Sequence, residues 1–290
     1  MKDIKIVIDT SADFPLEKTA EYGFGMLHFI SVFGETSYVT GLELSNEEFF
    51  KKLTEGDIMP TTAQTPYGDM HDYLLEQCKE HDSVIYFVIS SKGSGQYNTA
   101  RLVKSEIEEE YPEADLHIVD TMTYSVYISR MALYARNMIQ NGEEDIEKII
   151  KESVDYVQNW KCFFLVDTLK YLEKGGRINK ATAVMGSLLD IKPILGVDDG
   201  IIAAHDKLRG KKKLVDKLIE KVEEWEDLDR ENPHFLIIHY NEEKALEAKE
   251  KLEEKFGEGC IDIFEEFGPI VGTHVGPGAF AIMAKNKQEK

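Results

Sequence analysis

The sequence predicts an α/β protein with two domains, residues 1–159 and residues 160–290. In the first half, short apolar runs alternate with longer amphipathic runs, a pattern typical of a mainly parallel sheet covered by helices. In the second half, the apolar runs follow one another with fewer helices between them, and Asp199-Gly200 separates two of them as in a hairpin. The second domain is therefore predicted to be α/β with substantial antiparallel pairing.

The apolar runs are the predicted strands and the amphipathic runs are the predicted helices. In the first half the strands are IKIVI (4–8), GMLHFISVF (25–33), SVIYFVI (83–89) and DLHIVD (115–120). The helices lie in DTSADFPLEKTAEYG (9–23), SNEEFFKKLTEG (45–56) and QYNTARLVKSEIEEEY (96–111). The strands of the second half are CFFLV (162–166), IKPILGV (191–197), IIAAHD (201–206), FLIIHY (235–240), IDIFEEF (261–267) and AFAIMA (279–284). Ser45 and Glu48 have the spacing of a capping box, and Gly56 ends that helix.

The composition favours a soluble, cytoplasmic protein. With 54 acidic and 34 basic residues, the formal net charge of -20 repels phosphate backbones and anionic bilayers, so neither nucleic-acid binding nor stable membrane association is expected. Cys78, Cys162 and Cys260 are widely spaced and form no C-x-x-C pair, which favours reduced, buried thiols. We expect no signal peptide and no transmembrane helix, because the apolar runs are too short for either.

Three polar loops of the first half are candidates for ligand binding, because ligands of α/β sheets bind beyond the carboxyl ends of strands. These loops are Asp9-Thr10-Ser11, PTTAQTP (60–66) and SSKGSGQYNTA (90–100). Their side chains and the helix starts behind them suit an anion. Helix capping alone would select the same residue types, so both interpretations remain open at this point.

The loop at Gly93-Ser94-Gly95 lacks the motifs of three common nucleotide or acyl sites. A P-loop requires G-x-x-x-x-G-K-[ST], which occurs nowhere in the sequence. A nucleophile elbow requires glycine where the chain has Lys92. G-x-G-x-x-G after a strand is also absent, which counts against a dinucleotide-binding fold.

Two glycine-containing segments of the second half are also candidates for ligand contact. In DTLKYLEKGGRINKA (167–181), Gly175-Gly176 ends a predicted helix and presents Arg177, whose guanidinium can grip a carboxylate. In GPIVGTHVGPGAFAI (268–282), His274 lies among glycines and prolines before an apolar run. Such a segment is either a tight turn before a last strand or a place where a ligand approaches the backbone closely.

A basic segment at residues 207–213 stands out in a strongly acidic chain. It contains Lys207, Arg209, Lys211, Lys212 and Lys213. A solvated helix start would explain exposed charges, but positive charge at a helix N-terminus opposes the helix dipole. The alternative is a docking surface.

The motifs together resemble the DegV family of bacterial lipid-binding proteins. Six pieces match in family order over nearly the whole chain: IVIDTSADFP, PTTAQTP, ISSKGSGQYNTA, DTLKYLEKGGRI, IKPIL with the DG and RG that follow it, and GPIVGTHVGPGAFAI. The resemblance implies two domains with a long-chain fatty acid in a tunnel between them. It also implies service as the fatty-acid-binding subunit of a fatty acid kinase, in which a separate ATP-dependent subunit converts the bound carboxylate into an acyl phosphate.

Carried over by motif, the resemblance places Thr62, Ser94 and His274 around the fatty acid carboxylate, with Thr61 as an alternative to Thr62. The residues it gives supporting roles are Gly95, Arg177 and Gly276. Arg209, Lys211, Lys212 and Lys213 are the expected kinase-docking residues, and neither a metal nor a cofactor is expected. The chain departs from the family pattern in two places. The first is Ala63, within TTAQTP, and the second is Gln96, since the chain has Ser94-Gly95-Gln96 where relatives tend to have Ser-Gly-Thr. These departures would affect recognition of the fatty acid head group.

Two other functions remain as alternatives at this stage. The first is a serine-dependent acyl hydrolase or acyltransferase, with Ser94 as nucleophile and His274 as base. The absent nucleophile elbow weakens it, and spacing identifies no third carboxylate. The second is an α/β interaction protein whose cavity is vestigial.

Overall fold

The structure is a computed structural model that describes residues 2–178, 191–209 and 213–287. The chain divides into two compact units. The first unit is residues 1–157 with 268–271, and the second unit is residues 158–267 with 272–290. The first unit thus includes Gly268–Val271, four residues from late in the chain.

A four-stranded parallel sheet organises the first unit. Its strands, in spatial order, are β2 (Gly25–Leu27), β1 (Ile4–Asp9), β6 (Ser83–Val88) and β7 (Leu116–Asp120). The unit's helices are α1 (Thr19–Tyr22), α2 (Asn46–Glu55), α3 (Tyr67–Glu80), α4 (Gln96–Glu110), α5 (Val126–Gln140) and α6 (Ile146–Gln158). All six residues of β6 are buried, as expected of a central strand in a parallel sheet that helices cover. Helices α3, α4 and α5 pack on this sheet.

A second, antiparallel sheet in the first unit corrects two sequence predictions. It consists of β4 (Thr36–Val39), β3 (Ile30–Phe33) and β5 (Thr61–Ala63), in that order. The single strand predicted over residues 25–33 is therefore wrong, because β2 pairs with β1 whereas β3 pairs with β4 and β5. The loop predicted over 60–66 is partly strand. The helix predicted within residues 9–23 is present as the short α1, which follows two 3₁₀ turns.

The second unit is built on a six-stranded mixed sheet. Its strands, in spatial order, are β10 (Ile201–Arg209), β9 (Ile191–Asp198), β8 (Trp160–Leu165), β13 (Phe280–Lys285), β11 (Phe235–His239) and β12 (Ile261–Glu266). All six predicted strands are present, and every pair is antiparallel except β11 with β12. Asp199 and Gly200 both have positive φ, 47° and 73°, as the hairpin signal requires. The predicted α/β fold class, with a mainly parallel and a mainly antiparallel sheet, is confirmed.

Among the described residues, the helices of the second unit are α7 (Lys170–Lys174), α8 (Leu214–Glu224) and α9 (Glu242–Phe256). Helix α10 (Pro269–Val275) begins in the part of the chain assigned to the first unit and ends in the second unit. Helix α8 buries Val215, Leu218, Ile219 and Val222, the i, i+3, i+4, i+7 stripe of an amphipathic helix. This stripe joins apolar residues of the sheet and of α9 in one core. In the ranges that the structure describes, no helix is long and apolar enough to cross a membrane.

Candidate functional site

The loops at the carboxyl ends of β1, β6 and β7 meet in the first unit. The backbone N–H of Ser90, after β6, donates to the carbonyl oxygen of Thr123, after β7, at 3.0 Å. The N–H of Ser125 donates to the carbonyl oxygen of Ser11, after β1, at 3.1 Å. Two of the three polar loops predicted as ligand-binding therefore lie at one edge of the parallel sheet, where α/β proteins bind ligands.

Asp9 is fully buried at the end of β1. Its Oδ1 accepts hydrogen bonds from Ser11, from the backbone N–H at 2.9 Å and from the hydroxyl, and its Oδ2 accepts from the Tyr86 hydroxyl at 2.8 Å. Asp9 thereby caps a 3₁₀ turn, Thr10–Ala12, as the capping interpretation predicted. Burial raises the pKa of Asp9 to about 6 despite these bonds.

Gln96 connects this edge to the third polar loop. Its Nε2 donates to the hydroxyl oxygens of Thr65 and Tyr86, each at 2.9 Å, and its Oε1 accepts from the Thr65 backbone N–H at 3.1 Å. Thr65 Oγ1 in turn donates to the carbonyl oxygen of His28 at 3.0 Å. Gln96, a departure from the family pattern, is therefore the buried link between residues 60–66 and the start of α4.

Ser94 and Gly95 lie just before α4. Ser94 Oγ accepts from the backbone N–H of Gln96 at 3.2 Å, so the Ser94 hydroxyl still has its own proton to donate to a ligand oxygen. Gly95 faces the Gln64 amide, since an added Cβ would lie 3.1 Å from Gln64 Oε1. Ser94 is half-buried, which suits a side chain that both caps and contacts a ligand.

Thr61 and Thr62 lie on opposite faces of β5, because successive strand residues alternate. Thr62 is half-buried, whereas Thr61 is exposed. Thr62 pairs with the buried Ser31 of β3. Of the two threonines, Thr62 is therefore the more buried.

His274 lies in the last turn of α10, in the second unit, and packs against Gly175. A Cβ on Gly175 would lie 2.2 Å from His274 Nδ1, so glycine is required there for the ring to fit. Burial, and then the positive charge of Arg177, lower the pKa of His274 to about 4. The imidazole is therefore neutral at pH 7 and has one N–H to donate.

Arg177 follows a Schellman motif that ends α7, as the Gly175-Gly176 pair predicted. The backbone N–H of Arg177 donates to the carbonyl oxygen of Leu172 at 2.9 Å, and that of Gly176 to Glu173 at 3.0 Å. Gly176 has φ 73°, which only glycine adopts readily. The Arg177 guanidinium donates to the Gly175 carbonyl oxygen and so lies on the same turn that contacts His274.

The other glycines near His274 pack against side chains of this chain. A Cβ on Gly272 would lie 2.1 Å from the Tyr240 hydroxyl, and one on Gly276 would lie 2.3 Å from the Tyr171 ring. Gly276 also has φ 76°. The glycine-rich segment is thus a helix and a turn fitted closely to Tyr240 and Tyr171, rather than the simple tight turn considered from sequence.

The candidate site residues are divided between the two units. Thr62, Ser94 and Gly95 belong to the first unit, and His274, Arg177 and Gly276 belong to the second. In the basic segment, Arg209 ends β10 and Lys213 is exposed before α8, whereas Lys211 and Lys212 lie outside the described residues. Cys78, Cys162 and Cys260 are free and buried, as predicted. Among the described residues, no group of three or more His, Cys, Asp or Glu side chains is placed to hold a metal ion.

Sequence reasoning missed Tyr86, Thr65 and Asp13. Tyr86 gave a weak signal as a tyrosine inside an apolar run, and Asp13 lies two residues beyond the polar loop Asp9-Thr10-Ser11. Asp13 accepts a hydrogen bond from the Ser125 hydroxyl and another from the Gly268 backbone, just before α10. Burial raises the pKa of Asp13 to about 7.

Comparison with known proteins places the chain in a family. A family model described as an uncharacterised protein of the DegV family matches residues 3–287. Protein DegV of Bacillus subtilis is 32% identical over 283 residues, which cover 97% of this chain and 98% of that protein. The chain belongs to the DegV family, as its motifs predicted.

Two solved structures extend this comparison. The crystal structure of DegV from Bacillus subtilis, described as a fatty acid binding protein, matches with a TM-score of 0.85 at 30% identity, over 99% of this chain and 100% of that one. A DegV family protein from Ruminococcus gnavus, whose structure is described with vaccenic acid, matches with a TM-score of 0.81 at 25% identity, over 97% and 99%. Both of these DegV family proteins share the fold of this chain; the first is described as binding fatty acids, and the second is described with a fatty acid.

Proposed function

We propose that this protein binds a long-chain fatty acid in a buried tunnel, with the carboxylate held by Thr62, Ser94 and His274. The observation that carries the proposal is the full-length similarity to a protein described as binding fatty acids. The geometry agrees with it: Ser94 keeps a hydroxyl proton to donate, and neutral His274 has one N–H. In this proposal Gly95, Arg177 and Gly276 have supporting roles.

The tail and the head group contribute differently to binding. Burying a methylene is worth about 0.8 kcal/mol, so about fifteen of them offer about 12 kcal/mol before entropy costs. A hydrogen bond to a charged group contributes about 1.5–3 kcal/mol. The tail therefore dominates affinity, and the three polar side chains fix the orientation of the carboxylate.

The oriented carboxylate is the substrate of a separate ATP-dependent kinase, which converts it into an acyl phosphate. In this proposal the protein is a carrier subunit without catalysis or a cofactor of its own, and it acts in the cytoplasm. The basic segment, with Arg209, Lys211, Lys212 and Lys213, docks the kinase. These parts of the proposal derive from the family resemblance and the charge pattern.

A serine-dependent acyl hydrolase is the alternative, and the electrostatics of His274 disfavour it. A general base works best with a pKa near the working pH, and burial lowers that of His274 to about 4. Such an enzyme would form a covalent acyl adduct on Ser94 after exposure to an acyl thioester. Intact-mass measurement detects that adduct directly.

The decisive experiment is to denature the purified protein and identify released lipids by mass spectrometry. We expect about one long-chain fatty acid per chain, because a buried tail should survive purification. Delipidated protein should take up added fatty acid to the same stoichiometry. Lipid-free protein that also refuses added fatty acid would overturn the proposal, and an adduct on Ser94 would favour the hydrolase.

A further inference from the structure

The segments that carry Thr62 and Ser94 are joined through one buried side chain, that of Gln96. Its backbone N–H donates to Ser94 Oγ at 3.2 Å, and its side-chain amide holds Thr65, three residues beyond Thr62. Thr65 and Gln96 are 2% and 0% exposed. One residue thus contacts both hydroxyl-bearing segments directly.

The Gln96 amide can take only one orientation in this network. Its Nε2 faces two hydroxyl oxygens, of Thr65 and Tyr86, and its Oε1 faces the Thr65 backbone N–H. Exchanging the amide oxygen and nitrogen would point the amine at the Thr65 N–H, donor against donor. The Tyr86 hydroxyl is itself oriented, because it donates to the buried Asp9. A buried, fully satisfied network of this kind holds its members rigidly.

We propose that Gln96 and Thr65 are positioning residues, which fix the spacing of the Thr62 and Ser94 hydroxyls and thereby the preference of the site for a free carboxylate over an uncharged head group. The inference rests on the proposed function, in which those hydroxyls bind the carboxylate. Loss of the link lets residues 60–66 move relative to α4, so that both hydroxyls no longer meet one carboxylate.

A second tie between the same segments is weaker. Thr99 Oγ1 donates to Gln64 Oε1 at 3.1 Å, but this bond is exposed to water. Exposed hydrogen bonds exchange readily with solvent and constrain geometry little, whereas breaking a buried one leaves unsatisfied groups. The Gln96–Thr65 link is therefore the one that sets the spacing.

The test compares binding of palmitic acid and its methyl ester by delipidated Gln96→Met, Thr65→Val and the double variant. Methionine is unbranched and similar in length to glutamine, and valine keeps the shape of threonine. We expect the ratio of ester Kd to acid Kd to fall at least tenfold in each single variant, with ester affinity nearly unchanged. The double variant should resemble the single ones, because both changes break the same link.

Gln77→Met is the matched control, since Gln77 is also buried, on α3, but makes none of these bonds. It should keep the parental ratio. The inference is overturned if folded Gln96→Met and Thr65→Val keep the parental ratio, or if Gln77→Met lowers it equally. Should Gln96→Met fail to fold, Thr65→Val decides alone. Parent protein that binds neither compound would instead refute the proposed function, so the two failures are distinguishable.

Discussion

Gly175 contacts the His274 ring closely, and it can do so because glycine has no Cβ. The two glycines of the Gly175-Gly176 pair are required for different reasons. Gly175 leaves room for the imidazole, whereas Gly176 has open space around it and is needed for its positive φ. Substituting alanine at each position therefore separates a steric effect on His274 from a cost in backbone strain.

Gly175→Ala should displace the His274 ring, because the new methyl would lie 2.2 Å from Nδ1. We expect the His274 ring resonances to shift in NMR spectra and fatty acid affinity to fall about tenfold, the loss of one charged hydrogen bond. Gly176→Ala is the control: it should cost about 1 kcal/mol of unfolding free energy and leave the ring in place. Equal effects of the two variants on the His274 resonances would contradict this interpretation.

Removing the hydroxyl of Ser94 or of Thr62 should affect the orientation of the fatty acid carboxylate more than the affinity for the fatty acid. We expect Ser94→Ala and Thr62→Ala to weaken fatty acid binding by about tenfold at most, since the tail supplies most of the free energy. Acyl-phosphate formation by the proposed kinase should fall further, because it would require an oriented carboxylate. Thr61→Ala, on the opposite face of β5, serves as control and should change neither. Complete loss of binding in folded Ser94→Ala would show that the head group dominates affinity.

Helix and strand positions were predictable where the signal is local. The capping box of Ser45 and Glu48 is present at α2, and all six strands of the second unit follow their apolar runs. The split of residues 25–33 into β2 and β3 was not predictable, because it depends on pairing with distant strands. The contact of Gly175 with His274 and the Gln96–Thr65 link were missed for the same reason: their partners are far apart in sequence.

Helix α10 carries His274 near one end and is fixed at the other through Asp13. The Gly268 backbone, just before α10, donates to the Asp13 carboxyl, and the Ser125 hydroxyl donates to it as well. Burial nevertheless raises the pKa of Asp13 to about 7, so this carboxyl takes up a proton on folding below that pH. Stability from the raised pKa is full below the unfolded pKa near 4 and is lost as pH rises through about 7.

Asp13→Asn should therefore change how stability depends on pH. Asparagine keeps the shape and tolerates the left-handed backbone, φ 48°. We expect the unfolding free energy of the variant, relative to the parent, to increase between pH 4 and pH 8 by about 2–4 kcal/mol, measured by urea denaturation. Asp199→Asn is a matched control, since Asp199 has φ 47° but is exposed. A flat difference between Asp13→Asn and the parent would show that Asp13 stays ionised.

The net charge of the whole molecule bears on the proposed docking of a kinase. At -20 the chain repels anions at long range, yet the basic segment concentrates five positive residues within 207–213. The neighbouring carboxylates Asp206 and Asp216 form ion pairs with lysines outside the segment, Lys221 and Lys251. These carboxylates therefore already have cationic partners, and we expect the basic segment to provide a local positive field in a negative surrounding. Such fields raise association rates and orient partners more than they add affinity.

Reversing Arg209 and Lys212 to glutamate should slow acyl-phosphate formation at low kinase concentration by about tenfold, because electrostatic steering would be lost. The defect should shrink as kinase is raised, and it should shrink in 0.5 M salt, roughly, where the Debye length falls below about 5 Å. Fatty acid affinity should stay at the parental value. Lys51→Glu with Lys79→Glu is the control: both lysines are exposed on helices of the first unit, and the formal net charge changes equally. If the control variant slows the kinase reaction at low salt as much as the Arg209 and Lys212 variant does, overall charge and not the basic segment governs association. If neither variant differs from the parent, the segment is a solvated helix start.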